Sequence, residues 1–168
     1  MVKELLKSQI YYKTKISQSE YKILESAAIY HLDVKNIYAL KDKFDGERYF
    51  KQFLQRSFAE IAYQNFKQKK FFDIDQKMNK NFKPDFNEEL KSIEIIDCSF
   101  DELPKIPDSE SDFMVFCYVN VDFRDVWIIG GLESSILKQM CKEHLLSPVY
   151  RKNFLGVLSD LSILREIK

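Results

Sequence analysis

Apolar residues recur at helical spacing in the first third of the chain, give way to strand-like runs in the middle, and return to helical spacing near the end. Ser17 and Glu20 stand at the spacing of a capping box, with Ser17 as N-cap and Glu20 at the third helical position. Ile23, Ala27, Tyr30 and Val34 follow at three- and four-residue steps, which predicts a helix buried on that stripe. Residues 34–43 read as a short second helix, and Gly46 as a break. Residues 47–66 predict the strongest helix, because Phe50, Phe53, Leu54, Phe58, Ile61, Ala62 and Phe66 trace one broad apolar stripe. The lysines at 67, 69 and 70 suit its C-terminus, where cations meet the helix dipole.

The period then changes. Residues 71–75 look like a short strand. Residues 92–98 (SIEIIDC) are β-branched, with two carboxylates inside the run. Residues 113–121 (FMVFCYVNV) are nearly all apolar, as in a strand buried on both faces. Residues 126–130 read as a further strand ending at Gly130-Gly131, and the four residues between the two are short enough for a hairpin. Helical spacing returns over residues 134–145, before Ser147-Pro148. The tail, residues 158–167, is amphipathic and should pack back on the core. This order predicts an α/β (α+β) fold, a mixed sheet flanked by helices. Residues 1–45 form an N-terminal helical extension in this reading, and residues 46–168 the core of one domain overall.

Composition narrows the function. The 168 residues are 45% hydrophobic and 31% charged, enough for a packed core. Lys plus Arg equals Asp plus Glu at 26 each, which excludes a polybasic binder working by bulk attraction to phosphates. Cys98, Cys117 and Cys141 are odd in number and form no CxxC, so neither a disulfide framework nor a zinc site is expected. A reducing, cytoplasmic setting fits best. No apolar stretch reaches the roughly 18 residues a membrane span needs. His31 and His144 have no acid or Cys spaced for a triad or metal site.

The placement of acids is the useful anomaly. Glu60 lies at the edge of the apolar stripe of the long helix, and Asp85 follows Pro84. Glu94 and Asp97 lie inside an apolar strand, where a charge is costly unless paired or bound to a cation. Strand alternation puts Glu94 with Ile96 on one face and Ile95 with Asp97 on the other. Plainer roles stay open: a solvated helix residue for Glu60, a turn residue for Asp85, one wet edge-strand face for Glu94 or Asp97.

Residues 47–167 resemble the PD-(D/E)XK, or restriction-endonuclease-like, nuclease superfamily. The resemblance rests on the acid-bearing helix (Arg56-Ser57-Phe58-Ala59-Glu60), on Pro84-Asp85-Phe86, and on Ile93-Glu94-Ile95-Ile96. A Leu103-Pro104 turn follows, then the run from Asp112 through Ile129-Gly130-Gly131 into a helix. It implies a restriction-endonuclease-like fold with Asp85 and Glu94 as ligands of Mg²⁺ (or Mn²⁺) and Glu60 as a helper from the helix. The implied activity is phosphodiester hydrolysis in nucleic acid, DNA before RNA, with a homodimer or a partner protein left open. Hard carboxylate oxygens suit such an ion, and the ion suits a scissile phosphate. The chain departs from the pattern at one position: where the family has its lysine, this sequence has Ile96. In the register with Asp97 as second acid, the position is Ser99, which is no cation either. Lys67 and Lys83 are the local candidates for a displaced ammonium. Losing such a cation can cost about a hundredfold in rate, so a non-catalytic member serving as a binding or assembly subunit is the alternative. Residues 67–83 carry net charge +4 and residues 85–112 net −8, so a broad nucleic-acid groove over the second stretch is disfavoured.

Overall fold

Ser17 does cap a helix. The Oγ of Ser17 accepts the Glu20 N–H at 3.2 Å, and the Glu20 carboxylate accepts the Ser17 N–H at 2.7 Å, so both halves of the capping box form. The computed structural model describes residues 11–42, 45–70, 72–74, 86–88, 91–143, 154–158 and 163–167. Its elements are β1 (Tyr12–Lys15), α1 (Gln18–His31), α2 (Ile37–Lys41), α3 (Gly46–Lys67), β2 (Phe86–Glu88), β3 (Lys91–Cys98), β4 (Lys105–Pro107), β5 (Phe113–Asn120), β6 (Asp125–Glu133), α4 (Ser134–Lys142) and β7 (Phe154–Val157).

The mixed sheet expected from the run order is present. Five strands lie in the order β1-β6-β5-β3-β2, with β3 parallel to β5 and every other pair antiparallel. β4 and β7 form a separate two-stranded sheet. Residues 121–124 make the tight connection between β5 and β6, with Arg124 in the left-handed region at φ 57°.

One strand was not legible in the helical reading of the first third. β1 adds to the sheet edge by pairing with β6, Tyr12 opposite Ile128 and Lys15 opposite Asp125. Residues 72 and 73, expected in a strand, are in none; the Phe72 N–H instead donates to the Gln64 side chain at 3.0 Å. Gly46 begins α3 rather than breaking the chain, and the sharp backbone lies one residue earlier at Asp45, φ 60°.

The sheet separates two apolar layers. On one face α3 lays Phe50, Phe53, Leu54, Phe58, Ile61 and Ala62 against Ile93 and Ile95 of β3 and Val115, Cys117 and Val119 of β5. Each fully buried Phe contributes about 2–3 kcal/mol of transfer free energy, so this stripe contributes strongly to the core. On the other face Ile96, Cys98, Met114, Phe116 and Tyr118 pack with Leu137 of α4, Ile106 of β4 and Leu158. Strand alternation along β3 thus assigns Ile93, Ile95 and Asp97 to the α3 side and Glu94, Ile96 and Cys98 to the α4 side.

The buried side of α1 differs from the expected stripe. Leu24 and Ala28 are in the core, while Ile23 and Tyr30 stay 60% and 81% exposed. The helix has apolar residues on two sides, and its docking against α3 buries the side of Leu24 and Ala28 instead of the Ile23–Tyr30 stripe.

A bulge resets the pattern in β6. Phe116 lies opposite Gly130 and Cys117 opposite Ile128, so Ile129 is the extra residue. Ile129 and Leu132 therefore both face the α4 side, three residues apart. Gly131 sits so close to Phe113 and to the Met114 carbonyl that no Cβ fits. The tail packs back as expected: the backbone of Arg165 exchanges hydrogen bonds of 2.9 and 3.1 Å with Gly131, and Leu164 is buried.

Candidate functional site

Two polar groupings lie on opposite faces of the sheet. The first joins α3 to β3. Arg56 reaches Glu60 one helical turn on, Nε to Oε1 at 3.0 Å, and also approaches Asp97 through Nη1 at 3.4 Å. Gln55 donates to the other Asp97 oxygen at 2.9 Å. Glu60 is buried, so its charge depends on the guanidinium beside it. This part-buried arrangement fastens the helix to the strand through the contacts of Arg56 and Gln55 with Asp97. The i, i+4 spacing of Arg56 and Glu60 is legible in the sequence; the approach to Asp97 is not.

The second grouping contains Glu94. Its Oε2 accepts a hydrogen bond from the Ser111 hydroxyl at 3.3 Å. The Ser109 hydroxyl donates to Ser111 Oγ at 3.1 Å, and the Lys138 ammonium of α4 donates to the Ser109 carbonyl at 2.7 Å. Beside it, Asp112 accepts both the N–H and the hydroxyl of Ser92 at 2.8 Å, which ties the start of β5 to β3. Those two bonds hold the Asp112 carboxyl below the usual carboxylate range. Among the described residues Glu94 meets a hydroxyl and no cation.

Of the residues singled out in the sequence, Glu94 lies in mid-strand on the α4 side and Glu60 on the α3 side, so the two carboxylates are not brought together. Lys67 is the last residue of α3, about 10 Å along the helix from Glu60 and likewise on the α3 side. Ile96 is buried beside Glu94 on the α4 side, within the second apolar layer. Lys83 and Asp85 lie outside the described residues. Asp85 directly precedes Phe86, the residue paired with Ile93 across the β2–β3 hairpin. Among the described residues no three His, Cys, Asp or Glu side chains group as a metal site. The Glu94 carboxylate and the Ser111 hydroxyl are hard oxygen donors of the kind such a cation takes.

Sequence reasoning missed Ser109, Ser111 and Lys138. The only signal was the polar run of residues 108–112 directly before a buried strand; nothing in it pointed to Lys138, 27 residues after Ser111. A cleft of about 400 Å³ opens elsewhere, between Gln18, Tyr21, Lys51, Asp122 and Arg124, and contains none of the predicted site residues. Among the described residues no helix is long and apolar enough to cross a membrane.

No protein-family model matches the chain, and no curated protein or solved structure matches it either. Fold and site therefore define a class only: a mixed α/β protein whose sheet carries a carboxylate–hydroxyl pair, Glu94 and Ser111, on one face and a helix-fastening ion pair on the other.

Proposed function

We propose that the chain is a restriction-endonuclease-like protein that holds Mg²⁺ (or Mn²⁺) at Asp85 and Glu94 and hydrolyses phosphodiester bonds of nucleic acid. The observation that carries the reading is Glu94 itself. It sits within a strand whose neighbours are apolar, on the hairpin that follows Asp85 in the sequence, and among the described residues it is met by Ser111 and by no cation. A carboxylate kept half-buried without a counter-charge is costly, and a bound cation removes that cost. When bound, the ion would neutralise phosphate charge and make a water more acidic. Glu94 and Asp85 would hold it, and Ser111 orients the Glu94 carboxylate. The helix-side helper role of Glu60 falls outside this proposal, because its carboxylate serves Arg56 on the other face. The three cysteines are free, and Cys98 and Cys117 are buried, in keeping with a reducing cytoplasmic setting.

The test is cleavage of plasmid and of single-stranded DNA and RNA in Mg²⁺ or Mn²⁺. Wild-type protein should cut, and Glu94→Gln should lose about a hundredfold or more in rate. A Glu94→Gln protein that cuts as well as wild type sinks the reading. Buried Ile96 favours a second reading, a non-catalytic member of the same fold that binds without cutting. Nucleic-acid binding with no cleavage in either metal would select it.

A further inference from the structure

We infer that the cleft between α1, α3 and the β5–β6 turn binds a small zwitterion, a free amino acid or dipeptide with an apolar side chain. The cleft has a volume of about 400 Å³, within the range of about 300–1,000 Å³ usual for small-ligand sites. Two cations and two acids line it: Lys51 and Arg124, Glu47 and Asp122. Among the described residues none of the four joins an ion pair. Glu47 and Lys51 do not pair even though they stand at the i, i+4 spacing that favours it. The residue at the turn is also unusual. Arg124 holds the left-handed region at φ 57°, where glycine or asparagine would sit at less cost. Its guanidinium donates to the Gln18 side chain at 2.6 Å, which fixes the head at the cleft wall and leaves four of its five N–H donors.

Charge and wall together select the ligand. Two cations against two acids make the lining neutral, so a polyanion such as a nucleic-acid backbone meets as much repulsion as attraction there. A bare metal cation meets the same balance with the signs reversed. A molecule with one carboxylate and one ammonium satisfies both pairs. Its carboxylate takes the Arg124 fork and Lys51, and its ammonium takes Asp122 and Glu47. Phe50 and Leu54, each 3% exposed, form with Val121 an apolar wall for the ligand's side chain. The cleft lies past the end of β5 and Ser111 before its start, roughly 25 Å apart along the strand, so the inference stands independently of the Glu94 reading.

The experiment is titration calorimetry and thermal shift on the full chain with L-leucine, L-phenylalanine and the dipeptide leucyl-leucine. At least one should bind in the millimolar range or tighter, and leucine against leucyl-leucine tells which size is taken. Each binder is then offered with its amino end acetylated or its carboxyl end amidated, and either block should weaken binding at least about tenfold. Arg124→Gln and Asp122→Asn should weaken it as much, Arg124→Lys should keep part of the affinity, and Glu94→Gln should change nothing. Lys51→Gln, on the exposed helix surface, serves if Arg124→Gln melts early through loss of its bond to Gln18. No binding of any of the three up to about 10 mM overturns the inference. Equal binding of the blocked forms overturns it too, as does unchanged affinity in both Asp122→Asn and the Arg124 or Lys51 variant. Binding of inorganic phosphate in place of the zwitterions likewise sinks it.

Discussion

Glu60 and Glu94 carry their carboxylates on opposite faces of the sheet, Glu60 held by Arg56 on the α3 side and Glu94 by Ser111 on the α4 side. A sheet is one backbone thick, and no single ion bridges its two faces. The two acids therefore have separate duties, and separate variants should show it.

Arg56→Ala removes the guanidinium 3.0 Å from a buried carboxylate and should cost about 3 kcal/mol. Glu60→Gln should lower the melting temperature while leaving any Mn²⁺-induced stabilisation intact; Glu94→Gln should abolish that stabilisation. Thermal melts with and without metal read both. Loss of the metal response in Glu60→Gln would show that the faces communicate.

The two apolar sides of α1 should differ sharply. Leu24→Ala, in the core, should cost about 2–5 kcal/mol. Ile23→Glu and Tyr30→Glu, on the exposed side, should stay within about 0.5 kcal/mol. Urea unfolding at constant slope measures all three, and a large loss at Ile23 would place a partner or another copy on that side.

Gly131→Ala should lower stability by about 1–3 kcal/mol, because the new methyl meets the Phe113 ring and lies 2.8 Å from the Met114 carbonyl. Calorimetry would read this as a fall in melting temperature of several degrees. An unchanged melt would mean that β5 and β6 are less tightly apposed than described.

Acid and alkali should act through different groups. The Asp112 carboxyl titrates below its usual range in the folded state, so its contribution is present above the ordinary carboxylate value and lost as pH falls through the folded one. Asp112→Asn should flatten that acid limb. Burial raises the Cys98 thiol and the Tyr118 phenol, so their contribution is complete below the ordinary values and lost as pH rises past them. Tyr118→Phe should flatten the alkaline limb in melts taken across the pH range.

Periodicity alone located α3, the β5–β6 hairpin and α4, because long apolar stripes and runs have few ways to be buried. The capping box set the start of α1, since its bonds are local and need no partner from elsewhere. Alternation in residues 93–98 by itself puts Glu94 and Asp97 on opposite faces. Tertiary structure decided the rest. Which side of α1 is buried depends on what docks there. β1 exists because the β6 edge offers it hydrogen bonds. The duty of Glu60 is set by Arg56 and by the face it occupies, and the bonds of Lys138 to Ser109 and of Ser111 to Glu94 come from a loop that only folding brings beside α4 and β3. Short-range spacing encodes which elements form; the side of the sheet on which a charge ends, and what it meets there, is a property of packing between residues far apart in the chain.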